Sequence, residues 1–147
     1  MDGVQIEQLL GKPEQSPEVQ ALLKHFGVTK KLKLNSEGYV SLGLEPHGLQ
    51  FSFKPEAEKS SKLIFSVVFF YTEVEGFKLF AGTLPFGLKF TDTKVETRSK
   101  LGTPATILER YRRDNFIKGD RYLVCAYSPD GPLKSLTVGL NRDQQSG

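Results

Sequence analysis

The stretch Leu63-Ile64-Phe65-Ser66-Val67-Val68-Phe69-Phe70-Tyr71-Thr72 is apolar on both sides of an extended chain. Phe65, Phe69 and Tyr71 share one parity, and Val68 and Phe70 take the other. The run is far too short to cross a bilayer as a helix. A strand this apolar belongs in the middle of a sheet, beneath a covering layer. The rest of the chain must therefore supply neighbouring strands and the cover.

The cover is legible as helices. Val4 to Leu10 reads as a short helix stopped by Gly11 and Pro13. Ser16 is an N-cap with Pro17 at the first helical position, and Val19, Leu22, Leu23 and Phe26 then fall at i, i+3, i+4 and i+7 before Gly27. A third helix is predicted over Thr93 to Lys100, where Thr93 and Glu96 have capping-box spacing and Gly102 and Pro104 end the run.

Strands follow from period-2 alternation. Lys31 to Asn35, Tyr39 to Leu44 and Leu49 to Phe53 predict an antiparallel meander, with turns at Asn35–Gly38 and Glu45–Gly48. Lys54 to Lys62 reads as a loop, and Phe77 to Phe80 as a returning strand. Tyr122 to Tyr127 and Leu133 to Leu140 form strands around a turn at Asp130-Gly131. Ala105 to Asp120 fits either a helix carrying Ile107, Leu108 and Tyr111 or a solvated segment. The expected fold is one α+β domain over residues 1–140. It has a mainly antiparallel sheet with two or three short helices packed on one face. The polar stretch 141–147 is expected to be a disordered C-terminal tail.

Leu9-Leu10-Gly11-Lys12-Pro13 and Lys100-Leu101-Gly102-Thr103-Pro104 each follow a helix and precede strands. They suggest two helix-plus-sheet repeats, although Gly then Pro is also the common way for a helix to end. Residues 86 to 140 resemble the repeat unit of beta-lactamase-inhibitor-protein-like and outer-membrane-assembly lipoprotein folds. In those folds a helix ending in Leu-Gly-x-Pro leads into a small antiparallel sheet. No lipidated cysteine follows a lipoprotein signal here, so the outer-membrane role does not transfer. In size, class and style the whole chain also resembles bacterial immunity proteins of polymorphic toxins. That likeness implies an inhibitor that covers a toxin's working surface.

The net charge of +3 comes from Lys and Arg scattered among Asp and Glu. A nucleic-acid binder shows a denser basic stripe, so no nucleic-acid partner is expected. The N-terminus lacks the basic and apolar regions of a secretory signal. One cysteine, Cys125, excludes an intramolecular disulfide and fits a reducing compartment, so a cytoplasmic location is expected. No membrane partner is expected.

Catalytic signals are sparse. Cys125 lies mid-strand between Val124 and Ala126, where packing is the simpler role than nucleophile. His25 and His47 sit in unlike settings and make a poor metal pair. No P-loop, His-Glu-x-x-His or Gly-x-Ser-x-Gly is present. No catalytic residue, metal or cofactor is therefore assigned. Two sets of residues can instead anchor a protein. One comprises Tyr71, Tyr122 and Tyr127 with Arg110, Arg112 and Arg113, which would meet acidic groups. The other comprises the carboxylates Glu73, Glu75, Asp114 and Asp120, which would mimic phosphate against a basic cleft. Tyr39 is a further tyrosine to inspect on an open face.

The leading expectation is a non-enzymatic protein-binding module, an immunity protein that binds and neutralises a bacterial toxin. One alternative is a small-ligand or lipid-binding domain, which requires an enclosed apolar cavity. The other is a carboxylate-based enzyme, which requires a cleft with converging polar groups.

Overall fold

The computed structural model describes residues 1–141 of the chain. Among them seven strands form one sheet, with every neighbouring pair antiparallel. They are β1 (Val40–Leu44), β2 (Leu49–Pro55), β3 (Leu63–Tyr71), β4 (Thr106–Leu108), β5 (Arg113–Lys118), β6 (Arg121–Tyr127) and β7 (Leu133–Leu140). The order across the sheet is β1-β2-β3-β7-β6-β5-β4. Three helices, α1 (Gly3–Gln8), α2 (Pro17–His25) and α3 (Lys94–Leu101), pack into the same core cluster, on one face of the sheet. The α+β class, the antiparallel sheet and the one-sided helices are as the sequence predicts.

β3 lies in the interior of the sheet, between β2 and β7, as its apolar pattern requires. Its two faces are not the two simple parities of the sequence. Ser52 pairs with Val67 but Phe53 pairs with Phe65, so Ser66 is an extra residue in β3. This bulge puts Phe65 on the helix side with Val68 and Phe70, and leaves Phe69 and Tyr71 on the other side. Phe51, Phe53, Phe65, Phe70 and Phe116 are fully buried beside Ile6 of α1, Val19 and Leu22 of α2, and Leu101 of α3. Each such side chain contributes about 1.5–3 kcal/mol by leaving water.

The helix ends behave as their residues dictate. Asp2 and Gln5 close a capping box on α1, Ser16 accepts from the Val19 N–H of α2, and Thr93 and Glu96 close the box on α3. Gly11 and Gly102, the glycines of the two Leu-Gly-x-Pro segments, take φ of 94° and 92°. After Gly11 the chain runs beside β3, with Gly11 donating to the Phe65 carbonyl and Phe65 to the Lys12 carbonyl.

A clearer internal recurrence lies in two corners. β1 turns into β2 through one 3₁₀ turn, Glu45–His47, and β4 turns into β5 through another, Glu109–Tyr111. Each ends on a left-handed residue, Gly48 (φ 67°) or Arg112 (φ 53°), whose N–H donates to the Glu45 or Glu109 carbonyl. The open reading of Ala105 to Asp120 thus resolves into two strands and a corner, not a helix.

Three expectations need correction. Lys31 to Asn35 is not a strand but irregular chain: the expected turn follows it, where Asn35 Oδ1 accepts from Glu37 and Tyr39 N–H groups, and ladder pairing starts at Val40. The meander is therefore β1-β2-β3. Phe77 to Phe80 is not a strand either. It crosses the first corner, with Lys78 donating to Glu45 and Phe80 to Tyr71, and buries Phe80. The tail does not begin at residue 141, because Asn141 is buried and donates to the Asp120 carbonyl. The rest of the predicted tail, 142–147, lies outside the described residues.

The two corners differ in what crosses them. A Cβ on Gly48 would fall on the Lys78 carbonyl and the Phe80 amide, whereas Arg112 already carries a side chain at the same kind of position. Gly48→Ala is expected to lower stability by about 2 kcal/mol or more, from overpacking and backbone strain. Arg112→Gly relieves a left-handed L-residue and is expected to stay within about 1 kcal/mol of the parent. Urea midpoints of the two variants check both.

Candidate functional site

The sheet face away from the helices is organised by the ladder register into cross-strand rows. One row runs Tyr71, Ser135, Ala126, Arg113 across β3, β7, β6 and β5. The next runs Phe69, Thr137, Val124, Asn115, and the third Val67, Gly139, Tyr122, Ile117. Most side chains on the two central strands are small, Ser135, Thr137 and Gly139 on β7 and Val124 and Ala126 on β6, and the exception is Tyr122 of β6, which covers Gly139. Larger groups stand on the flanking strands and loops. The result is an open trough of about 410 Å³, lined among others by Phe69, Tyr71, Glu75, Tyr111, Arg113 and Tyr122.

The β3 wall is an aromatic stack held by hydrogen bonds. Phe69 and Tyr71 rings are parallel within 3° at 6.2 Å between centroids, and Phe77 stacks on Tyr71 at 4.2 Å. The Tyr71 hydroxyl donates to Gln50 Oε1 (3.1 Å), and Gln50 Nε2 donates to Ser41 Oγ (2.8 Å). Burial raises the Tyr71 phenol pKa, and the nearby Glu75 carboxylate raises it further. Across the trough Tyr122 lies over Gly139: a Cβ on Gly139 would fall on the Tyr122 ring. Glycine on β7 is thus what lets the ring lie flat, and burial raises the Tyr122 pKa.

The structure sorts the sequence candidates. Tyr71, Glu75, Arg113 and Tyr122 meet at this trough. Glu73 is exposed on the loop that carries Glu75. Arg110 stands outside the lining, its guanidinium 5.9 Å from the Tyr111 ring centroid. Arg112 points the other way, into a groove beside Thr93, Lys94 and Tyr127. Tyr39 borders a different hollow with Leu34 and Lys54.

Three further candidates also lie off the trough. Tyr127 shares parity with Leu123 and Cys125, is buried on the helix side and donates to Asp114 Oδ2 (2.9 Å). Asp114 is 1% exposed and accepts a bidentate pair from Arg98 at 2.8 and 2.9 Å. It ties α3 to β5 and offers nothing to a partner. Asp120 pairs with Arg121 (3.0 Å) at the β5–β6 turn. Sequence reasoning missed Tyr111, Phe69 and Thr137 as lining groups. The alternation of small residues along Ser135, Thr137 and Gly139 was the available signal.

Cys125 is fully buried beside Asp114 and faces the core. Burial, then the Asp114 charge, pushes its thiol up to about 12. His25 and His47 each pack edge-on against Phe26, at 4.8 and 4.9 Å between centroids. Among the described residues no cluster of His, Cys, Asp and Glu is placed to hold a metal, and no helix is long and apolar enough to cross a membrane. No protein family, curated protein or solved structure matches the chain.

Two outcomes follow from this environment. Gly139→Ala is expected to fold, to cost about 1–3 kcal/mol by overpacking, and to lift the Tyr122 ring so that its phenol titrates nearer the ordinary value. Tyrosine-labelled NMR across alkaline pH reads this. Tyr71, Tyr122, Tyr127 and Cys125 all stay protonated in the fold to higher pH than in the unfolded chain. Above the unfolded values, about 8.5 for Cys and 10 for Tyr, the native state binds more protons than the unfolded state. Stability is therefore expected to fall as pH rises through 9 to 11, as urea midpoints at pH 8 and 10.5 would show.

Proposed function

We propose that this chain is a non-enzymatic protein-binding module that acts through the open sheet face, and that it serves as an immunity-type inhibitor of a bacterial toxin. The supporting observation is the trough itself. Tyr71, held by stacking and a hydrogen bond, and Tyr122, lying over Gly139, border a floor of mostly small side chains, with Arg113 and Glu75 on opposite walls. Aromatic and Arg anchors around a fillable depression are what concentrate binding energy at protein interfaces. The step from protein binding to toxin inhibition rests on the resemblance in size and class to immunity proteins.

The test is capture followed by neutralisation. Tagged wild-type protein, expressed in its native host, is expected to retain one cognate protein that Tyr122→Ala and Arg113→Glu variants retain poorly. Producing that captured protein alone in a bacterial cell is expected to arrest growth, and co-producing this chain to restore it. A captured partner that is harmless when produced alone would overturn the toxin reading. Retention unchanged in both variants would overturn the assignment of the face.

A further inference from the structure

We infer that the trough receives one α-helix of the partner, packed lengthwise between the β3 and β5 walls, with an acidic flank against Arg113 and a basic flank against Glu75. This rests on the protein-binding reading above and adds the shape and polarity of the occupant.

The first argument is size. β3 and β5 are separated by β7 and β6, three inter-strand steps, or about 14 Å. A helix with its side chains is about 10–12 Å across. Along the strands the open floor runs over Ser135 and Thr137, and at its far end the Tyr122 ring covers Gly139. The floor is low along Ser135, Thr137, Val124 and Ala126, whose side chains are small, so the occupant must be convex.

The second argument excludes other shapes. A strand bonds to a sheet through its edge, where backbone N–H and C=O groups are free, and not across its face. A second copy of this chain would bring two troughs together rim to rim. Tyr111 and the Glu75 loop would meet their counterparts while the two floors stayed apart.

The third argument is charge. Arg113 and Glu75 are exposed, both line the trough, and neither takes part in an ion pair among the described residues. Glu75 acts on the Tyr71 phenol, which places it at that end of the β3 wall, and Arg113 lies in the same cross-strand row as Tyr71. The two charges therefore face each other across the width of the trough. The cationic and acidic anchor sets are not rivals. One member of each stands on opposite walls, so the occupant carries both signs, one on each side of an apolar ridge. Lys134 adds a cation at the same end.

The test is a selection with the full chain as bait and two phage-displayed libraries. One library randomises the exposed face of a helix on a rigid scaffold, and the other randomises loops on the same scaffold. Helices are expected to be enriched, with acidic residues on one flank of a small apolar ridge and basic residues on the other. Their affinity is expected to fall about tenfold or more for Tyr122→Ala and Arg113→Glu, as for the loss of a central anchor. Replacing the helix's acidic flank by lysine is expected to restore binding to Arg113→Glu. Enriched loops that depend on Tyr122 would overturn the helix inference and leave the protein-binding face standing. Binders from both libraries that ignore Tyr122 and Arg113 would overturn both. Sedimentation showing a dimer that Tyr122→Ala dissolves would put a second copy in the trough and likewise overturn the helix.

Discussion

The bulge at Ser66 is the constraint on which the rest of the molecule depends. One extra residue in β3 turns Phe65 towards the helices with Val68 and Phe70, while Phe69 and Tyr71 remain on the far side. Without it, a strict period of two would put Phe65 on the face of Tyr71, and the helices would lose a central partner. The core gains Phe65 stacked on Phe53 and set edge-on to Phe51. The opposite face keeps two aromatics in line, which become one wall of the trough. Core and open face are thus separated by a single residue.

Much of the fold was legible because its signals are local. Capping residues, helical spacing and Gly stops all act within a few residues, and α2 and α3 start where Ser16 and Thr93 place them. The central place of β3 was legible from apolarity on both sides. The bulge was not, since it appears only in the register with β2. Lys31 to Asn35 alternates like a strand but has no ladder partner among the described residues, and alternation cannot report pairing. Arg112 hid the second corner, because a left-handed turn is normally announced by Gly or Asn and here is closed by arginine.

The site was half legible for a similar reason. Tyr71 and Tyr122 belong to different halves of the chain, and only the β3-β7-β6 order brings them to one face. Parity already separated Tyr127 from Tyr122 in the sequence, but which parity faced the helices depended on tertiary packing. Asp114 looked like a surface carboxylate beside three arginines. Its partner proved to be Arg98, sixteen residues away on α3, and such long-range pairing carries no local mark.

The strand order also has a consequence for synthesis. β3 is made before the middle of the chain, yet its partner along Val67 to Tyr71 is β7, the last strand, with Val67 facing Gly139. A growing chain therefore carries its most apolar strand with one hydrogen-bonding edge unsatisfied along Val67 to Tyr71 until β7 has been made. The early residues Gly11 to Glu14 bond the other end of that edge, at Leu63 and Phe65, and leave the rest bare. The sheet closes only once β7 has been made, when two segments more than a hundred positions apart, Gly11 to Glu14 and Leu133 to Leu140, meet along the same edge of β3.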